Sequence, residues 1–295
     1  MTKGRPSQLR KMMGLNRCKY CFAFSPFIIS VFVVPFLASA LKTLGGIEIP
    51  HAQKQTRNTL ALENVELPKT FPLSKTDLTP EWAGNDQAFY FWPKLAHHAD
   101  EFARKQLERY YGCIFEHYYG VNNKAISVLD VCSSFTSHFP SKKLISDSVG
   151  DVTVMGLNWP ELMLNPSRTK MPFIKDLNED PTLPFADESF NVLTCSLSVD
   201  YLTSPLEAFC EMNRVLVPGG LASMAFTNRC FPTKVIPKWL RPFDDAAHCK
   251  IVYMYFYYSL KDSSGWENIE IIDISEDNIR GRENPMLVVQ ATKRK

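Results

Sequence analysis

From Ala125 onward, short β-branched apolar runs alternate with stretches whose apolar residues recur every three or four positions. Seven runs read as strands: ISVLDV (126–131), VTVMGL (152–157), FIKDL (173–177), NVLTCSLS (191–198), LASMAF (221–226), IEIIDI (269–274) and MLVVQAT (286–292). The clearest helix among them is PLEAFCEMNRVL (205–216), stopped by Pro218-Gly219-Gly220. Strands alternating with helices need crossover connections, which predicts a mostly parallel sheet covered on both faces. The last two runs have no helix between them and predict an antiparallel hairpin at the sheet edge. The expected fold class is α/β, a doubly wound, seven-stranded, mostly parallel sheet. In such sheets ligands bind at the carboxyl ends of the strands.

Upstream the texture differs. From Asp86 to about Phe115 a helical pattern runs through Phe89, Phe91, Trp92, Leu95, Phe102, Leu107, Tyr110 and Tyr111, interrupted by Pro93. Residues 41–85, rich in Pro, Thr, Lys and Asn, read as linker or surface wrap. Residues 1–40 read as a targeting segment: basic residues, then 22 uncharged residues between Lys19 and Lys42, then Ala38-Ser39-Ala40 as a small-residue cleavage site. A retained membrane anchor over residues 20–41 is the alternative, because that length suffices to span a bilayer. The expected organisation is a targeting or anchor segment (1–40), a linker or wrap (41–85) and one catalytic-type domain with a helical lead-in (86–295).

Composition narrows the function classes. With 45% hydrophobic and 22% charged residues, the 295-residue chain is globular. Its net charge of +2 hides an asymmetry. Lys3, Arg5, Arg10, Lys11, Arg17 and Lys19 face no acidic residue in the first 40, leaving 27 basic against 31 acidic groups in the remainder. A mildly acidic body lacks the footprint of a nucleic-acid binder. Cys18-x-x-Cys21 has no second pair to complete a metal site, and six unclustered histidines add none. The other cysteines lie irregularly in apolar runs, and no usable Asn-x-Ser/Thr acceptor exists, since Asn165 precedes proline. A secretory-type signal without paired cysteines or glycosylation sites fits delivery onward to a plastid (chloroplast). An anchored or luminal ER/endomembrane protein is the alternative.

Three polar residues sit in chain order at the expected ligand edge: Asp130 at the first strand, Asn158 after the second, and Asp176 after the third. A nucleoside needs such a set, with acceptors for ribose hydroxyls and for an exocyclic amine. Each is also a good loop or helix-cap residue.

At these positions the chain resembles the class I S-adenosylmethionine-dependent methyltransferases of the type 11-like, Rossmann-like kind, within a group of cyanobacteria and plastid-bearing eukaryotes. The resemblance rests on VLDVCSSFTSHFP (128–140), MGLNWPELMLNP (155–166), DLNEDPTLPFADESFNVLTCSLSVDYL (176–202), EMNRVLVPGG (211–220) and FTNRCFPTKVIPKW (226–239), with FYFWPKLAHHADEFA (89–103) as lead-in. It covers about Phe89 to Lys293. It implies S-adenosyl-L-methionine as cofactor and a small-molecule or lipophilic methyl acceptor. Asp130, Cys132, Ser133 and Ser134 would hold the methionine end at the start of the first helix, where free N–H groups favour a carboxylate. Asn158 would meet the ribose, Asp176 and Leu177 the adenine, and Ser196 with Leu197 would lie beneath the sulfonium.

The chain departs from the superfamily where Gly-x-Gly-x-Gly is usual, placing Cys132, Ser134 and Thr136 there. Three β-carbons narrow the space that glycine leaves open. Two readings follow: a methyltransferase, or a methyltransferase-like binding or scaffold protein without cofactor affinity. A nicotinamide-dependent oxidoreductase is a third, weakened by the missing Gly-x-Gly-x-x-Gly. For proton transfer the candidates are Asp200 and Tyr201 after the fourth strand, and His98, which the sequence places one turn from Glu101. His138 reads as a helix-end cap, Arg229 as an anion ligand or an ion-pair partner, and the aromatic run around Tyr253–Tyr258 as core.

Overall fold

The computed structural model describes residues 67–260, 265–275 and 285–295, plus a short antiparallel pair, Thr43–Leu44 with Ile47–Glu48. The targeting segment expected over residues 1–40 lies outside the described residues. One sheet contains β1 (Ile126–Val131), β2 (Val149–Gly156), β3 (Phe173–Ile174), β4 (Phe190–Ser196), β5 (Leu216–Phe226), β6 (Trp266–Asp273) and β7 (Leu287–Lys293). Their spatial order is β3-β2-β1-β4-β5-β7-β6. Pairing is parallel from β3 to β5, while β7 runs antiparallel to both its neighbours. The expected sheet with its antiparallel edge pair is therefore present. The final strand inserts inside its hairpin partner: Leu287–Ala291 are all buried, whereas β6 exposes its Asn268, so the more apolar strand takes the inner place.

The helices are α1 (Lys75–Leu78), α2 (Asp86–Phe89), α3 (Glu101–Asn122), α4 (Lys142–Ile145), α5 (Trp159–Leu164), α6 (Pro205–Val215) and α7 (Asp245–Ser259). Strand alternation assigns the two faces. In β5, Ala222, Met224 and Phe226 join Phe209 and Met212 of α6 and Phe256 of α7 in one core. Ser223 between them turns the other way, 3.1 Å from the Tyr110 hydroxyl of α3, which also donates to Gln290 of β7. Leu107, Tyr111, Ile114 and Phe115 of α3 are fully buried, each adding roughly 1.5–3 kcal/mol. Within the aromatic run of α7, Tyr255 and Phe256 are core, Phe256 meeting Phe209 and Trp266 edge-on, whereas Tyr253 and Tyr258 pack half-buried against it and Tyr257 is also half-buried.

Three expectations change. The helical lead-in divides into α2 and α3, separated by residues 90–100 with Pro93; Asp100 caps α3 by accepting from the Ala103 amide at 2.9 Å. α6 ends at Val215, so Pro218-Gly219-Gly220 belongs to the start of β5, where Gly219 takes φ 79°. Most consequentially, no helix begins at the loop after β1. Residues 132–141 are irregular, with φ 51° at Cys132, φ 55° at His138 and Pro140 beyond, and α4 has only four residues. A helix terminus for a carboxylate, expected at this loop, is not formed.

Residues 67–85 lie along the domain. Leu67, Phe71, Leu73 and Leu78 pack against the core, and the Trp82 amide donates to the Thr233 carbonyl at 2.9 Å. Arg214 at the end of α6 organises the 183–188 turn: its guanidinium reaches the carbonyls of Leu183 and Phe185 and the carboxylates of Asp187 and Glu211 at 2.6–2.9 Å.

Candidate functional site

A cleft of about 550 Å³ opens at the carboxyl ends of the parallel strands, within the roughly 300–1,000 Å³ usual for small-ligand sites. One wall is polar and built from the segments after β1, β2 and β3: Cys132, Ser133, Ser134, Asn158, Glu161 and Asp176. The other is aromatic, built from the lead-in and from the segments after β4 and β5: Tyr90, Lys94, His98, Tyr201, Phe231 and Phe243.

The loop after β1 is held by its own bonds. The Ser133 amide donates to the Met155 carbonyl at 2.8 Å, drawing the loop onto the end of β2. Gly156 is required there, because a Cβ would overlap the Ser133 carbonyl oxygen and lie 3.2 Å from its carbon. The Ser133 hydroxyl donates to Asp130 at 2.6 Å, and the Ser134 hydroxyl donates to Glu161. The Asn165 amide holds the Ser134 carbonyl and the Ser137 hydroxyl, both at 2.9 Å.

Of the cofactor-binding candidates, the structure brings Cys132, Ser133, Ser134, Asn158, Asp176 and Leu177 to the cleft wall. Asp130 lies beneath it, buried, receiving the Ser133 and Thr194 hydroxyls at 2.6 and 2.7 Å. Ser196 is turned away and bonded to the Tyr111 hydroxyl at 2.8 Å, while Leu197 (φ 57°) reaches the cleft. Asn158 caps α5 by accepting the Glu161 amide at 3.0 Å, and its amide donates to the carbonyls of Tyr90 and Phe91 at 2.7 and 3.0 Å. It latches the lead-in over the cleft.

Among the proton-transfer candidates, His98 and Tyr201 line the cleft and Asp200 does not. The His98–Glu101 pairing is not formed: Glu101 bridges to Lys105 at 2.6 Å, and the carboxylate acting on His98 is Glu161. The Tyr201 hydroxyl accepts the Phe231 amide at 2.8 Å and so fixes the segment after β5. His138 lies off the cleft, its ring tilted 51° to that of His97 with centroids 6.1 Å apart, rather than capping a helix. Arg229 is exposed at the rim and makes no ion pair among the described residues.

Sequence reasoning missed Glu161, Lys94 and the buried Asp86–Lys234 ion pair. Glu161 had a signal: Asn158 followed three residues later by glutamate has capping-box spacing. Lys234 also lies over the Trp82 ring, and the Asn178 amide donates to Asp86 at 2.8 Å, tying the lead-in to β3 and β5.

Burial governs titration here. It pushes Asp130 up to about 6 against the opposing hydroxyl bonds, and Asp200 up to about 7. It raises Tyr201 far above the usual phenol range, so that hydroxyl stays protonated. His98 is shifted down by burial and by the Lys94 charge, against the opposing charge of Glu161; the net shift favours the neutral imidazole.

Comparison with known proteins adds to this geometry. Residues 142–224 match the family model of a methyltransferase domain, Methyltransf_11. The strand order, mostly parallel with an antiparallel edge pair, is that of the class I methyltransferase, Rossmann-like fold. The matched stretch starts after the serine loop, so Asp130 to Thr136 lie outside it. Demethylmenaquinone methyltransferase of Staphylococcus aureus is 34% identical over 102 residues, 33% of this chain and 42% of that protein. The match thus spans less than half of the relative's length. Among solved structures, a methyltransferase from Mesorhizobium loti shares 15% identity over 57% of this chain and 91% of its own, TM-score 0.38. One from Aquifex aeolicus shares 15% over 65% and 98%, TM-score 0.39. The cyclase SpnF shares 14% over 70% and 91%, TM-score 0.43. Among the described residues no group of His, Cys, Asp and Glu could hold a metal ion, and no helix is long and apolar enough to cross a membrane.

Proposed function

We propose that this protein is an S-adenosylmethionine-dependent methyltransferase acting on a small lipophilic acceptor. The observation that carries the reading is the two-walled cleft, polar toward β1–β3 and aromatic toward the lead-in and β5, on a chain whose residues 142–224 match a methyltransferase domain. The fit rests on open volume beside residues 132–134 and on two carboxylates, Glu161 and Asp176, spaced along the polar wall. Asp176 and Leu177 would take the adenine, Glu161 the ribose hydroxyls, and Ser133 with Ser134 the methionine end. When bound, the cofactor supplies an electrophilic methyl group on a sulfonium.

The chain's own work is alignment, which in favourable intramolecular cases is worth roughly 7–11 kcal/mol. The lead-in is held at the cleft by Asn158 and by the Asp86–Lys234 pair. Neutral His98 is placed to receive an acceptor proton. Tyr201 holds Phe231 against the acceptor side. The relative named for demethylmenaquinone supports a lipophilic acceptor. So does Asn228–Lys234, the stretch resembling the plastid and cyanobacterial group, which brings Arg229 and Phe231 to that wall.

Calorimetry with S-adenosylhomocysteine tests this. Binding is expected, weakened about tenfold in Glu161→Gln and Asp176→Ala; no heat at millimolar ligand overturns it. The second reading, a scaffold without cofactor affinity, is favoured by the engagement of both loop hydroxyls within the protein, and that null result would select it. For location we propose plastid delivery through residues 1–40, with an endomembrane anchor as alternative. A fluorescent fusion of residues 1–60 that stays in the cytosol removes both.

A further inference from the structure

Lys94 sits on the aromatic wall in an unusual setting. Its Nζ lies 3.9 Å from the centre of the Phe89 ring, 4.8 Å from Phe231 and 5.1 Å from Tyr90. Its backbone amide donates to Glu161, which also takes the Ser134 hydroxyl. Yet the ammonium itself makes no ion pair among the described residues. Burial lowers its affinity for a proton, against the opposing charge of Glu161. Other cations nearby are neutralised: Lys234 by Asp86, and Lys175 by Asp180. Arg229 at the rim is the second cation on this wall without a carboxylate. Phe231 is the hub of the rings, with Phe89 at 5.9 Å, His98 at 5.2 Å and Tyr201 at 6.2 Å.

An ammonium caged by rings and held in no ion pair among the described residues favours an anion over a second cation, with the Glu161 carboxylate the opposing charge that acts on it. The surrounding faces favour a flat, polarisable ring over an alkyl chain. A compact anion such as phosphate would meet the ammonium but leave the ring faces of Phe231 and Tyr90 unused.

We propose that Lys94, Phe231 and Tyr90 form the acceptor subsite, and that the acceptor is a planar aromatic ring bearing an ionisable hydroxyl. The ring packs on Phe231 and Tyr90, and the oxyanion meets the Lys94 ammonium. The hydroxyl proton leaves to neutral His98 or to water at the open mouth. This assignment deepens the methyl-transfer reading and rests on it for the word acceptor, while the subsite itself is testable alone.

The probe is 4-nitrophenol, whose ionised form is yellow, titrated into the full chain with S-adenosylhomocysteine present. The bound probe is expected to ionise at lower pH than the free probe, reflecting about a tenfold preference for phenolate over phenol. Lys94→Met should abolish the preference and Lys94→Arg retain it. Phe231→Leu should weaken probe binding severalfold without changing the preference. Equal binding of phenol and phenolate, a preference surviving in Lys94→Met, or no probe binding at millimolar concentration each overturns the proposal. S-adenosylhomocysteine heat measured on the same samples separates the two readings. Cofactor binding without phenolate preference sinks only the subsite; phenolate preference without cofactor binding sinks the methyl-transfer reading and leaves the subsite.

Discussion

Replacing Asp130 with asparagine isolates the electrostatics under the serine loop. The carboxyl is fully buried, and its partners are hydroxyls, Ser133 and Thr194, with Ser137 also bonding it. Hydroxyls both donate and accept, so an amide at this position keeps its bonds by reversing two of them. What changes is the ionisation. Burial outweighs the three hydroxyls and lifts the carboxyl from 3.8 to about 6. The unfolded chain therefore releases this proton first. Wild-type stability relative to Asp130→Asn is fully present below the unfolded value and falls as pH rises through the folded one. At about 1.4 kcal/mol per unit, the relative loss reaches about 3 kcal/mol and then levels off. Asp200, also buried and lifted to about 7, titrates in both proteins and drops out of the difference. Urea unfolding of both proteins from about pH 4 to about pH 8 reads the curve directly. A stability difference that stays flat, or that grows in favour of the wild type with pH, would refute the claim that burial dominates here.

Lys234→Met leaves Asp86 buried without its cation and should destabilise by about 3–5 kcal/mol, seen as a lower urea midpoint; adding Asp86→Asn should recover part of that loss. Gly156→Ala drives a methyl into the Ser133 carbonyl, and should weaken S-adenosylhomocysteine binding measured by calorimetry more than it lowers the melting temperature. Asn158→Ala removes a helix cap and both latches on the lead-in, for about 1–2 kcal/mol, with faster hydrogen exchange confined to residues 86–98 and α5.

The sheet was legible because apolar residues dominate the buried cores of β1, β2, β4, β5 and β7, and the helix between β4 and β5 carries a 3.6-residue repeat; of the run FIKDL (173–177) only Phe173–Ile174 pairs as a strand. The inner position of β7 was not, since strand order depends on which of two paired runs buries both faces. The local chemistry around the cleft divides in the same way. Asp176 and Leu177 reach the wall as their place after β3 implied, but Asn158 does the work of a cap and a latch, a use equally compatible with its position in the chain. His98 was paired on paper with Glu101 through helical spacing; α3 starts only at Glu101, so the spacing had no helix to act on. Lys94 and Lys234 were missed because their partners Glu161 and Asp86 lie 67 and 148 residues away, beyond any local pattern, whereas Glu161 carried the local signal of its spacing from Asn158.

The departure from the glycine-rich loop has a structural logic. A glycine loop gains close approach by omitting β-carbons on the segment that faces the ligand. Here the omitted β-carbon is on the neighbouring strand: Gly156 lets the Ser133 backbone sink against β2, fixed by its amide bond to Met155. Asn165 fastens the loop from the far side, and the positive φ at Cys132 turns the chain without glycine. The side chains that threatened to fill the cleft are thereby drawn down toward Asp130 and across to Glu161, and about 550 Å³ stays open above them. With no helix behind this loop, recognition of a charged methionine end, in the methyl-transfer reading proposed above, would fall to hydroxyls and backbone amides rather than to a helix dipole. Their capacity to accept that end is therefore set by how readily Ser133 and Ser134 give up the carboxylates they now hold.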